Sequence, residues 1–335
     1  MERINILVTM PKTAIFYTFF NDDLISKLEE MGNVTWNESD SDHFTKEELR
    51  DRLKDIDICV TGWGTPIFDE EVLAGANRLR LIAHTGGSVR PYVTDAAYDK
   101  GIRVVSGNRV FAESVAESVI AYALASLRDI PRFSQDLKQG IWPTGYYNQG
   151  LLDKKIGIVG YGMISKITIE MLKPFRPQIK VYSRHIAQEE LDRNNMQKAD
   201  LQEIFSTCEI ISIHSGNTPE NYHLINEELL NLMPEGALLI NTARGAIIDE
   251  QALISVLGKG KIKAFLDVFE VEPLPAGHGL MELDNAILMP HMGGPTVDRR
   301  LIVTKSVLED MKLFLNGEPM SCEITQTYAS KMSTH

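Results

Sequence analysis

Cysteine is nearly absent: Cys59, Cys208 and Cys322 stand far apart in a chain of 335 residues. Such spacing makes neither a redox pair nor a Cys/His metal set, and it is too sparse for a disulfide scaffold. A reducing, cytoplasmic compartment is the expectation, with no metal. Positive charge is also short: 34 Lys and Arg against 46 Asp and Glu leave a formal net charge of -12. That balance argues against a nucleic-acid partner, which needs clustered cations to displace counterions. Long apolar runs are missing too. The longest, VIAYALASL at 119–127, falls short of the roughly 20 residues of a membrane span. The start, MERINILVTMPK, has no apolar stretch of secretory length. Neither a membrane partner nor a targeting segment is expected. No GxSxG elbow or HExxH-type pair occurs, which argues against a serine hydrolase and a zinc centre.

What is present is ordinary globular composition, 44% hydrophobic and 24% charged, enough for two sizeable cores. Strand-like runs at 4–9, 34–36, 58–62, 79–84 and 102–107 alternate with amphipathic stretches such as NDDLISKLEEMG and TKEELRDRLKD. That alternation predicts βαβ units and a parallel sheet. A long helical pattern, 111–129, and a loop rich in Gly, Pro and aromatics, QGIWPTGYYNQG at 139–150, separate this half from a second series. Its runs are IGIV (156–159), KVYS (180–183), IISIH (210–214), ALLIN (237–241), AFLDV (264–268) and AILMP (286–290). Six strands suffice for a doubly wound dinucleotide fold, whose ligand lies outside the carboxyl ends of the strands. After those ends come Gly160-Tyr161-Gly162, Ser183-Arg184-His185, His214, Thr242-Ala243-Arg244, Asp267 with Glu272, and His291 with Gly293.

The stretch GYGMIS at 160–165 is therefore read as a pyrophosphate turn. Gly160 permits the tight bend, Gly162 lets the backbone approach the phosphates, and Met163 and Ile164 open the following helix. Ser165 stands where a third glycine is usual, and its hydroxyl can bond a carbonyl one turn back.

With LRLIAHTGGSV, KGIRVVSGNRVFAESVAES, GIVGYGMIS, HSGNTPENYHLIN, LLINTARGAIIDEQAL, FLDVFEVEPLP and LMPHMGG in one order, the chain resembles the D-isomer-specific 2-hydroxyacid dehydrogenases. This family includes glyoxylate/hydroxypyruvate reductases and phosphoglycerate dehydrogenases. The resemblance implies two doubly wound parallel-sheet lobes. A flavodoxin-like substrate lobe, 1–108 with 295–335, encloses a cofactor lobe, 109–294. It also implies that Gly86, Gly87 and Ser88 hold the substrate carboxylate through backbone amides, and that Asp267 bonds the nicotinamide carboxamide. A homodimer formed through FAESVAESVIAYALA is implied as well, with Val115, Val119, Ile120 and Ala123 at helical spacing; burial within the protomer is the other reading.

Reducing a 2-keto acid requires a cation for the carboxylate, a hydride donor, and an acid for the developing alkoxide. Arg244 can fork onto carboxylate and carbonyl oxygens, as a lysine cannot. His291 is the acid in reduction, and Glu272 on its ring would favour imidazolium and fix its orientation. The glutamate also separates the chain from the formate dehydrogenase branch, which carries glutamine there. At the end of the second strand, an acid would bond the ribose hydroxyls of NAD. This chain has Ser183, Arg184 and His185, so NADP(H) is expected to be preferred over NAD(H).

Two departures from the family stand out. Arg90-Pro91 replaces an Asp-Asn pair, so that Arg90 is either a solvated arginine or a second anion site, and Gly216 occupies a proline position. The competing class is a dinucleotide-sensing scaffold, like the corepressors that share this fold.

Overall fold

A computed structural model describes residues 3–144 and 148–332; positions 145–147 of the expected loop 139–150 lie outside them. The chain divides into two compact units, Met1–Ala112 with Pro295–His335, and Glu113–Gly294, whereas the sequence reading put the first crossing at 108/109.

The first unit holds five parallel strands, β1 (Asn5–Pro11), β2 (Asn33–Asn37), β3 (Ile58–Thr61), β4 (Leu81–His84) and β5 (Arg103–Ser106). They lie in the order β2-β1-β3-β4-β5. β3 and β4 are buried at every residue, as strands covered by helices on both faces must be, which is why they read as continuous apolar runs. Alternate residues feed two cores. Ile6, Val8, Ile58 and Val60 pack with Phe16, Phe20, Val303 and Val307, while Leu7, Cys59 and Ile82 pack with Leu49, Phe68 and Val72. The strand order reverses between β1 and β3, so the connections leaving them diverge and open a crevice at their carboxyl ends.

The second unit holds β6 (Lys155–Val159), β7 (Gln178–Tyr182), β8 (Met196–Lys198), β9 (Ile210–Ile213), β10 (Leu238–Asn241), β11 (Lys263–Leu266) and β12 (Ala286–Leu288). All are parallel, in the order β12-β11-β10-β9-β6-β7-β8. Seven strands stand where six were expected. β8 is the addition, a three-residue edge strand in which only Met196 is buried, so no apolar pattern announces it. The switch point falls between β6 and β9, and the glycine turn leaves β6 there.

The helix Asn108–Leu127 runs across the boundary between the units. It is the one described helix long and apolar enough to cross a membrane, and half of that stretch is buried within the protein. Val119 and Ala123 pack with Ile158, Ile240 and Phe265. Ile120 is partly buried against the same core, so three of the four positions expected at a dimer contact pack inside the protomer.

Candidate active site

The glycine turn is built from two unlike glycines. Gly160 has φ +100°, and a Cβ there would lie 2.6 Å from the Ser215 nitrogen and 2.7 Å from the His214 carbonyl carbon. It is glycine because two strand-end loops meet there. Gly162 caps the helix Met163–Leu172 with φ -127°, and a Cβ on it would meet nothing within 4 Å. Open space beside a helix N-terminus fits a phosphate. Ser165 is fully buried; its Oγ donates to the Gly162 carbonyl (3.0 Å) and accepts from the Gly162 amide (2.8 Å). The serine thus replaces a third glycine by capping the helix. It also occupies the Gly162 N–H, leaving the Met163 and Ile164 amides to face a ligand.

Beyond β7, Ser183 Oγ accepts from the His185 amide (3.3 Å), and Arg184 and His185 are exposed. Arg184 lowers the Glu220 carboxyl, an effect secondary to the Thr218 hydroxyl. An acid that the sequence reading missed, Glu190, lies close by. Tyr161 and Lys166 (2.9 Å) both bond it, and these bonds, the tyrosine's first, hold its carboxyl below the usual range. That acid is already neutralised. After β9, His214 Nε2 shares a hydrogen bond with Ser212 Oγ (2.8 Å), and burial pushes its pKa down to about 4. The ring is neutral.

Within this unit, the structure joins the expected acid and its partner. His291 Nδ1 lies 2.6 Å from Glu272 Oε2, and Glu272 Oε1 accepts the Phe269 amide at 3.0 Å. With Nδ1 engaged, Nε2 is the nitrogen left for a substrate. The histidine backbone has φ +53°, a sparsely populated region for a side chain of this size. Its turn is held by Asp267, buried to 2% exposure. Oδ1 accepts from the Met292 amide (2.8 Å) and Tyr122 hydroxyl (3.4 Å), and Oδ2 accepts from the Gly293 amide (2.8 Å). Burial raises the Asp267 pKa, and the two amide bonds oppose it. Gly293 also accepts from Ser118 Oγ (3.1 Å), and a Cβ on it would sit 2.7 Å from Asp267 Oδ2. Asp267 and Gly293, expected to contact the cofactor, have these groups engaged in shaping the His291 turn.

Arg244 follows β10. Its carbonyl accepts from Asn241 Nδ2 (2.9 Å), and the same asparagine's Oδ1 accepts from the Ala243 amide (3.0 Å). Gly245 has no room for a Cβ, which would fall 1.9 Å from the Phe269 carbonyl carbon. The arginine and the Glu272 loop are therefore packed backbone to backbone. Arg244 Nη1 donates to the Ala243 carbonyl (2.6 Å), while Nε is buried without a partner, as is Thr242 Oγ1. Burial lowers the Arg244 pKa and the Glu272 charge opposes that; a guanidinium remains a cation. Orphaned polar atoms of this kind suit a site that awaits an anionic ligand and a dinucleotide. Among the described residues, no group of three or more His, Cys, Asp or Glu could hold a metal ion.

In the first unit, Gly86, Gly87 and Ser88 follow β4. A Cβ on Gly86 would lie 2.2 Å from His84 Nε2, and one on Gly87 would lie 3.2 Å from the Phe111 ring. His84 is fully buried, shares a hydrogen bond with Thr61 Oγ1 through Nδ1 (3.0 Å), and is driven to a pKa of about 3 by burial. The loop rests on a neutral ring that the sequence reading passed over. Arg90 pairs with Asp95 at 3.4 Å and borders a concavity that Asp69, Glu70, Glu71 and Asp95 also line. That acidic surrounding and the Asp95 pair favour the reading of Arg90 as a surface arginine over that of a second anion site.

Comparison with known proteins places this geometry in a family. Residues 120–293 match the model of the D-isomer specific 2-hydroxyacid dehydrogenase NAD-binding domain. The chain belongs to the D-isomer specific 2-hydroxyacid dehydrogenases, a family of oxidoreductases. It is 35% identical to the D-3-phosphoglycerate dehydrogenase of Methanocaldococcus jannaschii over 94% of its own length and 58% of that protein's. It is 34% identical to the glyoxylate reductase of Thermofilum pendens over 88% of each. Among solved structures, an acyclic imino acid reductase in complex with NADPH and D-Arg is 25% identical, with TM-score 0.79 over 96% of this chain and all of that one.

Proposed function

We propose that this protein reduces a small 2-keto acid of the glyoxylate or hydroxypyruvate type to the D-2-hydroxy acid, preferring NADPH to NADH, as a cytoplasmic homodimer. The observation that carries the reading is the 2.6 Å contact between His291 Nδ1 and Glu272 Oε2, in the unit that also presents Arg244 and the glycine turn. Bound nicotinamide cofactor supplies the hydride to the carbonyl carbon. Arg244 holds the carboxylate and draws charge toward the carbonyl oxygen. His291, as imidazolium, donates its Nε2 proton to the oxygen as the alkoxide forms, while Glu272 balances the ring charge and keeps Nε2 aimed outward. The neutral ring then regains a proton from solvent, and in oxidation the same nitrogen removes the hydroxyl proton. Acid catalysis of this kind is typically worth about 100 to 10,000-fold. The NADPH preference rests on Ser183, Arg184 and His185 after β7, a hydroxyl and a cation in place of an acid, while the nearby Glu190 is bonded to Tyr161 and Lys166.

A steady-state screen of glyoxylate, hydroxypyruvate, pyruvate and branched 2-keto acids with each cofactor tests the reading. Oxidation of NADPH by at least one small 2-keto acid is expected. No oxidation with any of them would favour the dinucleotide-sensing scaffold.

A further inference from the structure

The switch-point crevice of the first unit presents a cation that the reaction above does not use. Trp63 follows β3, and its loop is rigidly made. The Gly62 amide donates to Thr65 Oγ1 (3.3 Å), Thr65 Oγ1 meets Thr9 Oγ1 (2.8 Å), and the Tyr92 hydroxyl bonds the Gly64 backbone. All this bracing holds out an indole that is 41% exposed. The ring stands edge-on to Phe19 (5.3 Å), which follows β1, and to Phe111 (6.1 Å). Phe111 is the ring against which Gly87 packs. One aromatic side chain therefore separates Trp63 from the glycine loop.

Arg300 also approaches that indole, its Cζ 5.6 Å from the Trp63 ring and 5.5 Å from Phe19. Its Nε donates to the Pro295 carbonyl (3.3 Å) and its Nη1 to Thr18 Oγ1 (3.2 Å). Among the described residues, no carboxylate pairs with it and Nη2 has no partner. It stands in the first turn of the helix Val297–Leu315, where the helix dipole disfavours a cation. The acid of that turn, Asp298, is held by Thr296 and drawn to Arg299. A guanidinium fixed by two neutral acceptors, within cation–π reach of two rings and short of a counter-charge is arranged for an anion from outside.

We propose that Arg300, with Trp63, forms a distal anion subsite, so that among 2-keto acids longer than glyoxylate and hydroxypyruvate the protein favours one bearing a second carboxylate or a phosphate at its far end. This rests on the reading that the glycine loop holds the 2-keto carboxylate. The rings between loop and guanidinium would pack along the carbon chain, and the planar fork would take the terminal oxygens.

The test uses the 335-residue chain and three probes: 2-oxoglutarate, phosphohydroxypyruvate and 2-ketohexanoate, whose tail is uncharged. Each is titrated against tryptophan fluorescence and assayed in steady state with NADPH. Tighter binding of one of the two dianions than of 2-ketohexanoate is expected, and which one tells carboxylate from phosphate. The fluorescence response should vanish in Trp63→Phe. Arg300→Gln should lower the ratio of affinities, and of kcat/KM, for the charged-tail probe over 2-ketohexanoate by about 10 to 150-fold, the range for a lost hydrogen bond to a charged group. Arg300→Lys keeps the charge without the fork and should fall between, which preserves the test if the glutamine variant does not fold. Dianions bound no tighter than 2-ketohexanoate, or a ratio unchanged because both substrates weaken alike, would overturn the subsite. If no keto acid oxidises the cofactor while the fluorescence response and its loss in Arg300→Gln persist, the reductase reading fails and the subsite stands.

Discussion

Alanine at the two glycines of the pyrophosphate turn should produce opposite phenotypes. At Gly160, a Cβ would sit 2.6–2.8 Å from backbone atoms of His214 and Ser215, which cannot yield as a side-chain tip can. Overpacking of this sort costs about 1–3 kcal/mol, and holding alanine at φ +100° adds roughly 1–3 kcal/mol. The sum, about 2–6 kcal/mol, corresponds to a Tm loss of roughly 5–20 °C for a unit of this size. At Gly162, φ is -127° and no atom lies within 4 Å. Alanine is a poorer N-cap by up to about 1 kcal/mol, and the loss of unfolded-chain freedom returns about 0.4–1 kcal/mol. Stability should stay within about 0.5 kcal/mol, for those terms nearly cancel. The methyl group, however, points into the space assigned to the pyrophosphate, and NADPH affinity should fall at least tenfold, about 1.4 kcal/mol. Differential scanning fluorimetry of the apo protein, followed by NADPH titration, separates the two effects. Equal Tm losses in the two variants, or NADPH binding by Gly162→Ala as tight as the unmodified protein's, would refute the division of labour.

His291→Ala should reduce turnover by about 100 to 10,000-fold with little change in NADPH affinity; near-normal kcat would remove the acid from the mechanism. Ser183→Asp combined with Arg184→Ala should reverse the cofactor preference, shifting the NADPH-to-NADH ratio of kcat/KM by about 10 to 150-fold. If the unmodified enzyme uses NADH as well as NADPH, that assignment is wrong. His214 is held neutral with its pKa lowered from 6.5 to about 4, so the unfolded chain binds a proton that the folded one refuses. Its contribution is full above pH 6.5 and is lost as pH falls toward 4, by about 1.4 kcal/mol per unit at most. Urea unfolding of His214→Asn at about pH 6 and pH 5 should show a correspondingly shallower pH dependence than the parent, and identical slopes would contradict a ring held neutral in the fold.

Both sheets were legible because their central strands, buried at every residue, are mostly apolar and end in polar clusters, a pattern that survives without coordinates. β8 was not, since an edge strand that buries only Met196 carries almost no hydrophobic signal. The Glu272–His291 partnership was expected from the family resemblance together with the residue types and their order. The work of Asp267 could not, because its acceptors face amides 25 and 26 residues away and only the folded turn brings them together. The arginines make the same point. Arg90 drew attention by sitting beside the glycine loop in sequence, yet its charge is met by Asp95 five residues on. Arg300 reaches Thr18 across 282 residues, and nothing in its local sequence distinguishes it from Arg299.

The reciprocal pair between Ser165 and Gly162 bears on the thermodynamics of cofactor capture. A glycine at that position would leave the head of the helix free to fray until a dinucleotide arrived, and ordering it would be charged against binding. Here two internal hydrogen bonds order the turn before any ligand is present. The ligand meets fewer free donors but a backbone already in place. The protein has exchanged some enthalpy of association for a smaller loss of entropy, and calorimetry of NADPH binding to Ser165→Gly should reveal the exchange as a more favourable enthalpy offset by a larger entropic cost.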